Sequence, residues 1–542
     1  MKIFGQAIVE GARVLDDGRL RIDYTVERVR NGWRVTGAVR GRTGRVEVFR
    51  APAPRELLLN NWQSWGPMRK IGAGEKLAGA AERMAKQGRY VFSPIPDVFL
   101  RDLVSDYFAA WEGGLAGFLA SRVGHPYFAV EGGDLAGYIE YFDTPFEDPV
   151  PLEPFVVAAG GPVELLLEEY AIRVAAENGV HVRTWDPAGW SSWYHYFTDL
   201  RWADVEKNLR IARAKFPFEV FQIDDGYEAD IGDWLRVKDG FGTLPDLARL
   251  IADHGFHAGL WTAPFAASAS SRLFEAHLDW MVSDVGLPKF CFRGWSRDLY
   301  ALDTTNPRAK AWLHETFSSL RAMGFDYHKI DFVFAAAMAG VRSRRLTPIQ
   351  AYRDGLAVIR GAIGDAFLLG CGAPLLPSIG FVDGMRIGED TAPFWDSSKP
   401  GLDGVNAYHA LRNAILRSFM HRKWWLNDPD CLLLRRQAID LSESERALYA
   451  RTAGALDNMI IESDDLELVD DAGRALLAEA IGLKGGHVRV RQLLGDDFYL
   501  IDSWGGPAGI FRYAANLSDA VRIAEGGVEI APRSGAFLTP AK

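Results

Sequence analysis

The chain has 542 residues, 48% apolar and 24% charged, with 61 basic against 71 acidic side chains for a net charge of −10. Domains average roughly 100–200 residues and a barrel about 250, so a chain this long divides a large core among about two or three domains. The composition excludes disorder, the acidic balance argues against nucleic acid as a partner, and the absence of about 18 consecutive apolar residues excludes a membrane-spanning chain.

Cys291, Cys371 and Cys431 lie far apart, match no zinc spacing and are too few for a disulfide framework, which implies a reducing compartment. Met1–Arg13 holds one lysine and no apolar core of a signal peptide, so the expected location is cytoplasmic. The 17 Trp, 17 Tyr and 31 Phe suit pockets for neutral polar ligands, because flat aromatic faces pack on the C–H faces of sugars, although aromatics are core residues more often.

In chain order, about the first 170 residues alternate with period two, as in Leu20–Tyr24 and Trp33–Thr36, with turn pairs at Asp17-Gly18 and Asn31-Gly32. This predicts an antiparallel β-sandwich domain over 1–178 that ends in a linker helix from Val163 to near Gly179. From Gly189 apolar strands alternate with amphipathic helices. The predicted strands are Trp190–Tyr196, Glu219–Asp225, His257–Ala263, Tyr327–Phe332, Phe367–Cys371, Gly384–Gly388, Trp424–Asp428 and Met459–Ser463. Eight is the number a (β/α)8 TIM barrel requires, here over 179–475. Trp202, Val205, Leu209, Ala212 and Phe216 repeat at helical spacing; Asn306-Pro307 and Thr347-Pro348 read as helix starts, Gly255 and Gly324 as stops. After about Ala475 short strands return, such as His487–Gln492 and Phe498–Asp502, predicting a small C-terminal β domain over 476–542. The fold class is α/β, with a barrel between two β domains.

In such a barrel the active site lies at the C-terminal strand ends. Strand two ends in Asp224-Asp225, strand three contains Trp261, strand four ends Lys329-Ile330-Asp331, and strand five ends in Cys371. Strand six runs Arg386–Asp390 and strand seven closes with Asn427–Asp430. Carboxylates therefore converge from four strand ends, an arrangement that costs stability unless ligands, metals or cations offset it. Metal-assisted hydrolysis would recruit histidine, yet only His195, His257 and His328 fall on predicted strands. His257 sits at the wrong end, and His328 points opposite to Lys329. Glycoside hydrolysis by a carboxylate pair fits better.

Gly189–Tyr196, Phe221–Tyr227, Lys329–Phe332 and Asp383–Thr391, with Asn60–Gly66 near the start, resemble glycoside hydrolase family thirty-six, the microbial α-galactosidases, and most closely the compact thermophilic bacterial ones. The resemblance extends from Met1 through at least Asp465. It implies Asp331 as nucleophile and Asp390 as acid/base. It further implies that Lys329 meets ring hydroxyls beside Asp331 and favours its ionised form, and that Arg386 contacts the 2-hydroxyl region. Asp224 and Asp225 would accept from the 4- and 6-hydroxyls, and Trp65, Trp190 and Trp261 would line the pocket, Trp65 from the N-terminal domain. Cys371 would touch the ligand, and Asp233-Trp234 would contribute nearby.

The residues alone leave other readings open. Asp224-Asp225 also reads as a helix-capping loop start, Lys329 with Asp331 as a structural ion pair, Cys371 as a small buried residue, and the three tryptophans as core. Arg386 also suits neutralising Glu389 or Asp383, and Asp428 and Asp430 suit a turn. The resemblance implies a retaining exo-α-galactosidase acting on melibiose- or raffinose-like oligosaccharides, with no metal or organic cofactor. Its alternative is a raffinose-synthase-like α-galactosyl transferase, and the oligomeric state is not legible.

Overall fold

The computed structural model describes residues 1–72, 94–95, 103–294, 296–396 and 405–538. The period-two stretches pair into one antiparallel sheet of six strands and one of eight. Phe118 of the larger sheet packs on Phe155 of the same sheet and on Phe128 of the smaller one, with Phe118–Phe128 ring centroids 5.2 Å apart, so the two sheets share a core. The hairpin of Leu20–Val29 with Gly32–Arg42 shows why Asn31-Gly32 stands at its turn. Asn31 adopts φ 62°, and a Cβ on Gly32 would lie 1.9 Å from the Val157 carbonyl oxygen on the neighbouring strand.

Helix α1 (Val163–Asn178) buries Val163, Leu166, Leu167, Tyr170, Ala171 and Val174 and stops at Gly179, whose φ is 61°. The Tyr170 hydroxyl donates to Phe118 O of the sandwich, and Trp424 Nε1 donates to Ala171 O from the barrel side. The helix thus bonds to both neighbours.

The barrel strands are β1 (Ala188–Ser191), β2 (Val220–Ile223), β3 (His257–Thr262), β4 (Phe325–Ile330), β5 (Phe367–Gly370), β6 (Gly384–Arg386), β7 (Leu426–Asp428) and β8 (Ile460–Glu462). All pair in parallel in the order β7-β6-β5-β4-β3-β2-β1-β8, and Met459 N donates to Asn427 O at 2.9 Å where β8 meets β7. The architecture is α/β, as expected. Asn306 caps Pro307–Met323 and Thr347 caps Pro348–Ile363, and the positive φ of Gly324 (109°) and Gly255 (84°) ends their helices.

One expected strand needs correction. The predicted strand Trp190–Tyr196 stops at Ser191, and Trp193–Tyr196 is a helical turn. Position 475 falls inside the helix Asp471–Gly482, and the strands expected after it return at His487 and Phe498 in a four-stranded sheet. Between β3 and β4 the chain also builds an unforeseen three-stranded antiparallel sheet from Ala266–Ser268, Phe290–Gly294 and Arg297–Ala301. Among the described residues no helix is long and apolar enough to cross a membrane.

Alternation along the strands layers the barrel interior. Val220, Tyr327, Phe367, Leu369, Leu426 and Met459 form an apolar plug, with Tyr327 stacked on Phe367 at 4.9 Å. Two residues further along the same faces come Gln222, Lys329, Cys371 and Asp428, so the plug gives way to polar groups at the C-terminal end.

Candidate active site

Lys329 shares the inward face of β4 with Tyr327, and Asp331 continues that face just beyond the strand. The closest partner of Lys329 is Asp224 rather than Asp331: its Nζ donates to Asp224 Oδ2 at 2.8 Å. Asp224 Oδ2 also accepts from Gln222 Nε2 at 2.6 Å, and Oδ1 from Asp225 N at 3.0 Å, so this carboxylate is held from three sides. Asp225 lies beside it, also buried. Burial works against the charge on Lys329, yet Asp224, Cys371 and Asp331 keep its proton affinity well above the usual lysine range.

Asp331 is 6% exposed. Its Oδ2 accepts from Trp261 Nε1 at 3.1 Å, its Oδ1 from Phe332 N at 2.7 Å, and the Cys371 thiol is a further hydrogen-bond partner. Burial pushes the Asp331 carboxyl above the usual range, Lys329 pulls it back, and Asp390 pushes it up again. Phe332 adopts φ 50°, a strained conformation for so bulky a residue, and places its N–H on the carboxylate. Its ring is wedged between Trp65, edge-on at 4.8 Å, and Phe292, stacked at 4.7 Å.

Arg386 ends β6 fully buried, and its Nη2 stands 2.9 Å from Asp390 Oδ1 and 2.9 Å from Asp430 Oδ2. The Asp390 side chain is 35% exposed, at the mouth of the barrel. Asp430 accepts from the Tyr194 hydroxyl and from Thr391 N, and its own N–H donates to Asp428 Oδ1 at 2.9 Å. Burial pushes Asp428 up to about 6 against the pull of Arg386. The alternative partners of Arg386 are engaged elsewhere: Asp383 with Arg183 and Arg360, Glu389 with His409.

Trp65 comes in from the N-terminal region, its Nε1 donating to Cys371 Sγ at 3.3 Å. A Cβ on Gly372 would stand 3.1 Å from its ring, so glycine permits the approach. The segment is fastened by Arg417, which sequence reasoning did not single out. Its buried guanidinium makes five hydrogen bonds, to Asn60 Oδ1 twice and to the carbonyls of Ser64, Gly66 and Ile387. Burial without a carboxylate in contact lowers Arg417 to about 9. Tyr194, the other residue missed, lies in the stretch expected to be strand.

Trp190 is not part of the pocket wall. Ser191 faces Asp224, so its neighbour Trp190 points to the helical layer, stacked on Phe221 at 4.2 Å with Nε1 donating to Asp464 O. Asp233 pairs with Arg236, and Trp234 packs edge-on against Trp261 at 5.8 Å. His328 faces outward, lowered by burial to about 3.

Among the described residues one cluster has metal-like spacing, Asp186, His421 and Asp457, at the opposite end of the barrel. Arg422 and Lys484 already occupy it, 2.8 and 3.0 Å from Asp186. His421 Nδ1 accepts from Asn427 N, which leaves its Nε2 to donate to Asp457 and no lone pair for a metal. The group is an ion-pair network. The three cysteines form no disulfide, and all are buried.

Residues 25–159 match the family model "Alpha-galactosidase, N-terminal" and residues 183–359 the model "Melibiase", which sets the class of this barrel and its sandwich. The chain belongs to glycoside hydrolase family thirty-six and is related to its thermophilic bacterial α-galactosidases. TtGalA, an α-galactosidase from Thermus thermophilus solved in complex with stachyose, is 28% identical with a TM-score of 0.71, over 88% of this chain and 100% of that one. The same enzyme with p-nitrophenyl α-D-galactopyranoside gives 27% and 0.72, over 92% and 98%. The curated relative α-galactosidase AgaA of Geobacillus stearothermophilus is 29% identical over 146 residues, 24% of this chain and 18% of its own length.

Proposed function

We propose that the chain is a retaining, exo-acting α-galactosidase that hydrolyses terminal α-linked galactose from oligosaccharides such as melibiose and raffinose. The observation that carries this reading is the unequal carboxylate pair. Asp331 is buried and gripped by Trp261 and Phe332 N, as a nucleophile that must hold one direction should be. Asp390, with its side chain 35% exposed, faces the space where a leaving group departs and water enters.

Asp331 attacks the anomeric carbon while Asp390 gives its proton to the departing oxygen, leaving a β-linked galactosyl ester. Water then surrenders a proton to Asp390 as its oxygen attacks the same carbon, releasing α-galactose and free Asp331. Lys329 and Asp224 form a charged, hydrogen-bonded floor suited to a polyol, and Arg386 and Cys371 lie between the two carboxylates. No step calls on a metal or organic cofactor.

Proton NMR of the first minutes of turnover tests the reading. α-Galactose as the first product from a nitrophenyl α-galactoside supports it, and β-galactose overturns it. Oligosaccharide products dominating over free galactose at modest acceptor concentration would instead identify the transferase.

A further inference from the structure

Asp430 is a carboxylate that the mechanism above leaves without a task. It is 2% exposed and adopts φ 81°, in a turn fixed by its own N–H on Asp428 and by the Tyr449 hydroxyl on Pro429 O. Two donors and a cation converge on its Oδ2: the Tyr194 hydroxyl and Thr391 N at 2.8 Å donate to it, and Arg386 Nη2 forms an ion pair with it at 2.9 Å. Two of these lead to Asp390. Thr391 is the next residue in the chain, and the same Nη2 stands 2.9 Å from Asp390 Oδ1.

We propose that Asp430 is a positioning residue for the acid/base step: by sharing Arg386 Nη2 with Asp390 and holding Thr391 N, it aims Asp390 and divides the guanidinium charge between two carboxylates. The proposal rests on the assignment of Asp390 as acid/base. An acid must carry a proton in the first step, and a guanidinium in contact with one carboxylate alone holds it ionised. The charged and titratable groups around Asp390 are Arg386 at the end of β6, Asp430 after β7, Tyr194 after β1, Asp331 after β4 and Cys371 after β5. Those around Asp430 are Arg386, Asp390, Lys329, Tyr194, Asp428, Cys431 and Tyr449. Burial pushes Asp430 above the usual carboxylate range, and the contact with Arg386 works against that shift.

The test is the pH profile of kcat/KM for Asp430→Asn on melibiose and on 2,4-dinitrophenyl α-galactoside. The amide leaves the Arg386 charge to Asp390 alone, so the basic limb moves to lower pH by about one unit or more. On that limb melibiose turnover falls about tenfold or more, while the dinitrophenyl substrate, whose phenolate departs unassisted, falls less than about threefold. Asp430→Glu, which keeps the charge, retains the limb of the unaltered chain; Asp430→Ser serves as the neutral variant if the amide does not fold. An unmoved limb with equal losses on both substrates would overturn the proposal and leave Asp390 as the acid/base. Asp390→Ala, run alongside, separates the two: if it failed to distinguish the substrates, the assignment of Asp390 would fall and the proposal with it.

Discussion

Replacing Trp261 by Phe tests whether this tryptophan serves the sugar or the nucleophile. The indole N–H lies 3.1 Å from Asp331 Oδ2, inside a site where that carboxylate is 6% exposed. A hydrogen bond to a buried charged group contributes about 1.5–3 kcal/mol, and Phe keeps the flat ring while deleting the donor. That energy favours ionised over protonated Asp331, and about 1.4 kcal/mol corresponds to one pH unit, so its loss raises the proton affinity of Asp331 by about one to two units. In its proposed role as nucleophile Asp331 must be ionised, hence the acid limb of kcat/KM moves to higher pH by that amount, while activity well above the limb falls much less. The assay is initial rates on p-nitrophenyl α-galactoside from pH 4 to 9, about five units wide so that the limb stays in view. Trp234→Phe is the control, because Trp234 touches Trp261 edge-on and is not a hydrogen-bond donor to Asp331. An acid limb unmoved in Trp261→Phe, or moved equally in the control, would refute the reasoning.

Asp331→Ala should lose activity by roughly a thousandfold or more and regain part of it with azide, yielding β-galactosyl azide, whereas azide with Asp390→Ala should yield the α-anomer; product NMR distinguishes them, and exchanged anomers reverse the roles. Asp224→Ala should strand Lys329 in the proposed sugar site and cost about a hundredfold or more in kcat/KM on α-galactosides, measured against α-glucosides, on which the proposed selectivity predicts little activity to lose. Asp428→Asn should stabilise the fold increasingly with pH. The folded pKa of Asp428 stands near 6, above its unfolded value, so the native state binds the extra proton and its stability falls as pH rises from about 4 to 6. Thermal melts should show the Asn variant gaining of order 1 kcal/mol more at pH 8 than at pH 5, and a constant difference would contradict the assignment.

The barrel was legible because each strand is an apolar run beside an amphipathic helix, and the charged ends of β2, β4, β6 and β7 follow from where such runs stop. Lys329 and Asp331 stand two positions apart, so their common face followed from alternation alone. The same rule places Trp190 and Ser191 on opposite faces without saying which is inside, and only the contact of Ser191 with Asp224 decides it. Tyr194 was hidden by the aromatic run Trp193–Tyr196, which has strand propensity but folds as a helical turn. The partnership of Lys329 with Asp224 spans 105 residues and that of Arg417 with Asn60 spans 357, and no local pattern encodes either.

That last span bears on how the molecule is made. The segment carrying Trp65 leaves the ribosome early, but the guanidinium that seats it is 357 residues behind Asn60. Until Arg417 has emerged, the segment lacks all five of the guanidinium hydrogen bonds that fasten it, although its bonds to Ala373 and Cys371 can already form. The fastening of the Trp65 segment is therefore completed late in synthesis, and a nascent chain stopped short of Arg417 holds six of the eight barrel strands without it. Loss of activity in truncated or misassembled chains would report on this docking step long before the secondary structure registered any change.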